Sequence, residues 1–177
     1  VISQTLGLGY ANLCVKWEGG ATIKRTCTGI AVRMRSTSGT IFNVRLDDPR
    51  IVGNEGTTHL LDVEYVSHIR IDNLDGRNWT GAMLRLRGVI GAVIMNPICS
   101  LNEEAFTTTP AYGILGDEVS AGNYRVNVEI IDPVIEGPNF GVSFASAQNC
   151  KIIGGTLEGC GIGLDIGTKS PQERPRA

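Results

Sequence analysis

Glu136 and Glu158 occupy the same position of two matching runs, DPVIEG and GGTLEG. Runs that match residue for residue stack on one another in a repeat fold, which sets their side chains roughly 5 Å apart on neighbouring strands. Carboxylates about 5–5.5 Å apart suit nucleophilic cleavage of a glycosidic bond, and about 6.5–9.5 Å suits cleavage by an activated water. Asp75, in the related LDG run, falls beside the same column, with Ser100 between. Stacked like charges repel, which can hold one carboxyl protonated as the acid. Solvated acids at turn edges account for the same residues without any chemistry.

A second group of residues suits binding rather than bond breaking. The stretch LNEEAFTTTPAY, residues 101–112, exceeds a basic repeat and reads as a projecting loop. Its Glu103, Glu104, Phe106 and Tyr112 offer carboxylates for sugar hydroxyls and aromatic faces for sugar rings. Arg85 and Arg87, with Arg33, Arg35, Arg45 and Arg70, fall on outward positions and form either a basic face for an acidic glycan or an ordinary solvated surface. Asp48 and Asp132 precede proline at turns, which explains both acids without a catalytic role. His59 and His68 have no recognisable nucleophile beside them. Trp17 and Trp79 are expected to cover coil edges or an interface.

The elements that must position these side chains are short strands between glycine turns. In NCKIIGGTLEGCGIGLDIG, residues 149–167, Gly154, Gly155, Gly159, Gly161 and Gly163 would each weaken a helix by roughly 1 kcal/mol relative to alanine. Such strands bury an apolar face only by stacking on copies of themselves. One column of copies ends at Asp48, Asn73, Asn96, Asp132 and Gly154, with Leu46, Ile71, Ile94, Ile130 and Ile152 two residues earlier. Between the apolar positions, Arg45, Arg70, Val93, Glu129 and Lys151 point the other way. A second column opens with Gly29, His59, Gly81, Gly113, Gly141 and Gly163. Both advance together by about 22 residues, with insertions confined to turns, which predicts an all-β solenoid of parallel strands.

Composition narrows the function classes. Sixteen basic residues against 18 acidic ones leave no global charge for nucleic acid. No apolar run is long enough to insert in a bilayer. Cys14, Cys27, Cys99, Cys150 and Cys160 have no zinc spacing and read as buried thiols, so neither a metal nor a cofactor is expected. Residues 1–167 are predicted to form the solenoid. Residues 168–177, rich in Pro, Arg and Glu, read as a disordered tail or linker. A start at Val1 without Met or a signal pattern, and a last coil without a cap, are expected of a fragment of a longer chain.

The coil length, the Asp/Asn turn column and the GGTLEG-type runs resemble the right-handed parallel β-helix of the pectin-lyase-like superfamily. The loosely patterned coils with variable insertions look most like bacteriophage tailspike and tail-appendage proteins. The resemblance covers residues 28–167 and lies in the repeat pattern. The clustered acids and histidine motifs of pectate lyases and polygalacturonases are not found. It implies a virion-tail or secreted protein, a homotrimer, and bacterial surface polysaccharide as the partner. Whether that glycan is also cleaved stays open between a glycoside hydrolase, a polysaccharide lyase and a non-catalytic shaft.

Overall fold

A computed structural model of the chain describes residues 4–26, 28–35, 39–100, 108–117, 126–145 and 149–166. The first coil carries β1 (Leu6–Leu8), β2 (Cys14–Lys16) and β3 (Ile23–Lys24). The second carries β4 (Gly29–Arg35), β5 (Ile41–Asp47) and β6 (Arg50–Val52), and the third β7 (Thr57–Glu64), β8 (Val66–Asp72) and β9 (Asp75–Arg77). The fourth holds β10 (Ala82–Arg87), β11 (Ile90–Met95) and β12 (Ile98–Ser100), and the fifth β13 (Tyr112–Asp117), β14 (Val128–Ile131) and β15 (Val134–Glu136). The sixth holds β16 (Phe140–Phe144), β17 (Lys151–Ile153) and β18 (Thr156–Glu158), and β19 (Ile162–Ile166) follows it.

Every third strand pairs, always parallel, so the coils form three sheets of seven, six and six strands. This is a parallel β-helix of about six turns. The expected register holds. In the second sheet Val15, Leu46, Ile71, Ile94, Ile130 and Ile152 are successive ladder partners. Leu46, Ile71, Ile94 and Ile130 are fully buried. Their outward neighbours Arg45, Arg70, Val93, Glu129 and Lys151 form the next column. Each fully buried Ile or Leu stabilises the stack by about 1.5–3 kcal/mol relative to exposure.

The bend from the second sheet to the third needs one left-handed residue per coil. Asp48, Asn73, Asn96 and Asp132 take φ values of 55°, 57°, 49° and 47°, and Gly154 takes 64°. Asp and Asn tolerate this region because their short polar side chains bond locally. Here they also bond along the axis: Asn73 Nδ2 donates to Asp48 Oδ1 at 2.7 Å, and Asn96 Nδ2 to Asn73 Oδ1 at 3.1 Å. A side chain at Gly154 would collide with the Asp132 carboxylate, so glycine is needed there twice over.

Three expectations are corrected. Gly113, Gly141 and Gly163 do stack, but the ladder places them opposite Met83 and Leu60, two residues past Gly81. Bulky interior side chains in the earlier coils thus give way to glycine in the later ones. Tyr112 opens a strand rather than ending a loop, and the fifth coil's extra length is divided between the connections before and after β13. Trp79 is fully buried in the core, its indole N–H donating to Tyr112 O at 2.8 Å, rather than covering an edge. Of the thiols, Cys99 is buried and burial pushes its pKa well up, Cys150 and Cys160 are half-buried, and Cys14 is exposed. Cys27 and the predicted tail, 168–177, lie outside the described residues.

Candidate functional site

The third sheet has short strands, so each coil presents two outward side chains around one inward residue. The inward column runs Ile23, Ile51, Gly76, Cys99, Ile135 and Leu157. One outward column runs Arg50, Asp75, Ile98, Val134 and Thr156. The other contains Val52 and Arg77, then Ser100, and continues through the paired Glu136 and Glu158. One straight outer face therefore carries cations, carboxylates, the exposed Thr156 hydroxyl and two exposed aliphatic residues, Ile98 and Val134, while Ser100 is buried in its column.

Glu136 and Glu158 are adjacent ladder partners, as their shared sequence position predicts, and both are exposed. Asp75 is on the same face but in the neighbouring column, two coils or roughly 10 Å along the axis from Glu136. Arg77, not Asp75, holds the glutamate column in the third coil. The Asp75 carboxylate accepts from Arg50 Nε at 2.9 Å and Arg77 Nε at 3.3 Å. It is thus brought to the face of the two glutamates without reaching them.

Asp75 instead borders a cleft of about 480 Å³ where the second sheet bends into the third. The cleft is lined by Lys16, Trp17, Glu18 and the Gly19-Gly20 turn on one side, and by Asp48, Arg50, Asn73 and Asp75 on the other. Trp17 stands where later coils have their left-handed turn residue, since Lys16 pairs with Asp47. Its ring is half-buried and packs partly on the core.

The remaining candidates fall on the first sheet. Arg33, Asp62 and Arg85 are successive outward partners, as are Arg35, Glu64 and Arg87. Asp62 is fully buried between its neighbours and accepts from Arg85 Nε at 2.9 Å, Arg85 Nη2 at 3.0 Å and Arg87 Nη2 at 3.0 Å. Arg87 Nη2 also donates to Glu64 Oε2 at 2.9 Å. Burial alone would raise the Asp62 pKa, but the Arg85 hydrogen bonds and the charges of Arg85 and Arg87 outweigh it and hold it below the usual carboxylate range. Arg85 and Arg87 are therefore ion-paired and largely buried rather than a solvated basic surface, while Arg33 and Arg35 remain the more exposed cations. Beside them, His59 Nδ1 accepts from the Ala82 amide at 3.0 Å. Burial, and then the Arg85 charge, lower its pKa to about 4.

Tyr112 stacks on Phe140 of the next coil, ring centres 5.2 Å apart and 21° from parallel. The two rings form a half-buried aromatic surface on the first sheet, away from the paired glutamates. Glu103, Glu104 and Phe106 lie outside the described residues. Among the described residues, no three His, Cys, Asp or Glu side chains are grouped to hold a metal ion.

Two features were not anticipated from the sequence. The buried acids Asp62 and Glu64 had a signal: an acid-x-acid coil between two Arg-x-Arg coils, legible once the columns are aligned. The Trp17 cleft had little, because residues 1–27 do not repeat the later pattern. Compared with known protein families, curated proteins and solved structures, the chain finds no match.

Proposed function

We propose that this chain is part of a pectin-lyase-like β-helix of the tailspike or tail-appendage kind, carried on a virion tail or secreted, and that it binds bacterial surface polysaccharide along the outer face of its third sheet. The observation that carries the reading is the in-register stack on that face. A polysaccharide is a linear repeat whose sugars each offer hydroxyls and an apolar ring face. The two outward columns offer a matching repeat: charged and hydroxyl groups at Asp75, Arg77, Glu136, Glu158 and Thr156, and apolar surface at Ile98 and Val134.

The same face carries the residues for cleavage. Neighbouring strands set Glu136 and Glu158 roughly 5 Å apart, the separation of a retaining pair. One carboxyl protonates the leaving oxygen while the other attacks the sugar, and water then releases the product. Asp75 acts there only by fixing Arg77, its neighbour in that column. Three copies side by side would present three such faces, as the tailspike reading implies.

The test is binding and cleavage of purified host-surface polysaccharide by the unmodified protein and by E136Q and E158Q. Saturable binding by all three supports the reading. Release of reducing ends that both substitutions abolish assigns a hydrolase, and an unsaturated product assigns a lyase. Binding without cleavage leaves a shaft that attaches to glycan. Absence of binding to every host-surface polysaccharide overturns the proposal.

A further inference from the structure

The cleft beneath the Gly19-Gly20 turn is chemically distinct from the rest of the third-sheet face. It joins an aromatic side chain to carboxylates and an amide within one concavity of about 480 Å³, the size range of a small-ligand pocket. Two of its acids are already committed. Asp75 is held by Arg50 and Arg77, and Glu18 has Lys16 at 3.9 Å, both largely exposed. Asp48 is different. Its partner on the ladder is Asn73 Nδ2, which engages only Oδ1, while a carboxylate has about four acceptor sites. Trp17 is also uncommitted at its polar end: no described residue accepts from its indole N–H.

We infer that this cleft is a binding subsite for an uncharged sugar residue, with Trp17 as its stacking surface and Asp48 as its hydroxyl acceptor. The inference rests on the polysaccharide reading above and names the sugar class for one end of that face. Apolar C–H groups of a pyranose ring pack on an indole, and its hydroxyls donate to a carboxylate while accepting from Lys16 or from the indole N–H. Charge decides against an acidic sugar. Glu18 and Asp75 are matched by Lys16, Arg50 and Arg77, which leaves Asp48 as the carboxylate without a cation, so a uronate or sulfated ring would set its charge against Asp48 where a neutral ring offers a hydroxyl. The surrounding backbone is set for the task without ligand, because Asp48 is fixed at φ 55° by the turn ladder.

Intrinsic fluorescence isolates this site. The protein has two tryptophans, and Trp79 is fully buried with its N–H bonded, so a ligand-dependent change in emission reports Trp17. The probes are oligosaccharides derived from dextran, mannan and galactan, with polygalacturonate oligomers as the acidic comparison. The expected result is a saturable emission change with at least one uncharged probe and none with polygalacturonate. D48N keeps a residue that tolerates left-handed backbone and keeps an oxygen for Asn73, so it folds. It should weaken that binding at least about tenfold, roughly 1.4 kcal/mol. W17F should retain binding when followed calorimetrically, and W17A should lose it. A response to polygalacturonate alone, or undiminished binding by both D48N and W17A, overturns the assignment. If the two variants bind whole host polysaccharide as well as the unmodified protein does, the cleft assignment fails and the polysaccharide reading stands. If none of them binds any glycan, both fail.

Discussion

Replacing Asp62 by Asn tests whether the acid-and-arginine ladder on the first sheet holds the third and fourth coils together. The side chain keeps its size and loses its charge, so packing of the strand is little disturbed. Asp62 is fully buried, and Arg85 and Arg87 are mostly so, with side-chain exposures of 17% and 18%. Three hydrogen bonds of 2.9–3.0 Å from Arg85 and Arg87 end on its carboxylate. Removing one partner of a buried charge network leaves the other charges uncompensated, at a cost of about 3–5 kcal/mol. For a chain of this length, each kcal/mol moves the melting temperature by about 2–4 °C, so D62N should melt roughly 6–20 °C lower. Thermal unfolding followed by circular dichroism reads this directly. A double-mutant cycle with R85Q should show strong coupling, because the second substitution removes much of the charge that the first strands. A D62N protein melting within about 2 °C of the unmodified one would refute the reasoning. It would mean that water screens the ladder as it screens a surface pair.

The other expected outcomes concern the turn ladder, the interior and acid. N73A should be less stable than N73G by about 1 kcal/mol, because both lose the bonds to Asp48 and Asn96 but only alanine is strained at φ 57°; equal melting temperatures would contradict this. A Cβ at Gly76 would sit 2.6 Å from Met83 Sδ and 3.0 Å from Leu60 Cδ1, so G76A should cost about 1–3 kcal/mol by overpacking, while G7A, which meets nothing within 4 Å, should cost little. His59, held neutral in the folded chain down to about pH 4, takes up its proton in the unfolded chain near pH 6.5. Stability should therefore be level above pH 6.5 and fall by about 2–4 kcal/mol between there and pH 4. H59Q should flatten that fall. Below about pH 4 a further loss should follow as the depressed Asp62 carboxylate is protonated, and it should be absent in D62N.

The fold was readable because its two strongest requirements leave marks on single residues. A coil that bends through left-handed backbone needs Asp, Asn or Gly at one place, and Asp48, Asn73, Asn96, Asp132 and Gly154 supply it. A half-buried strand needs strict alternation, and Ile71, Ile94, Ile130 and Ile152 around Arg70, Val93, Glu129 and Lys151 show it. The first sheet was harder to register, because interior volume is shared between coils. Met83 and Leu60 take space over Gly76, and glycine follows in their own column at positions 113, 141 and 163. The pairing of Glu136 with Glu158 was legible as a position match. The neighbourhood of Asp75 was not, since its arginine partners depend on a two-residue lateral offset that the LDG and IEG runs conceal. The outward arginines gave charge but not burial. That depended on Asp62 and Glu64 lying one coil away, between them.

The proposed function rests on binding of polysaccharide to the outer face of the third sheet. Surface plasmon resonance with immobilised host-surface polysaccharide tests it most directly, comparing the unmodified protein with a variant in which Ile98 and Val134, both exposed on that face, become glutamate. The two glutamates would stack on each other and on Asp75, so the variant should lose about 0.2–1 kcal/mol per like-charged pair and melt a few degrees lower while keeping its β-sheet circular dichroism at the assay temperature. Saturable binding by the unmodified protein and its loss in the I98E/V134E variant are the expected results. Equal binding by both proteins, or none by either, would contradict the proposed function.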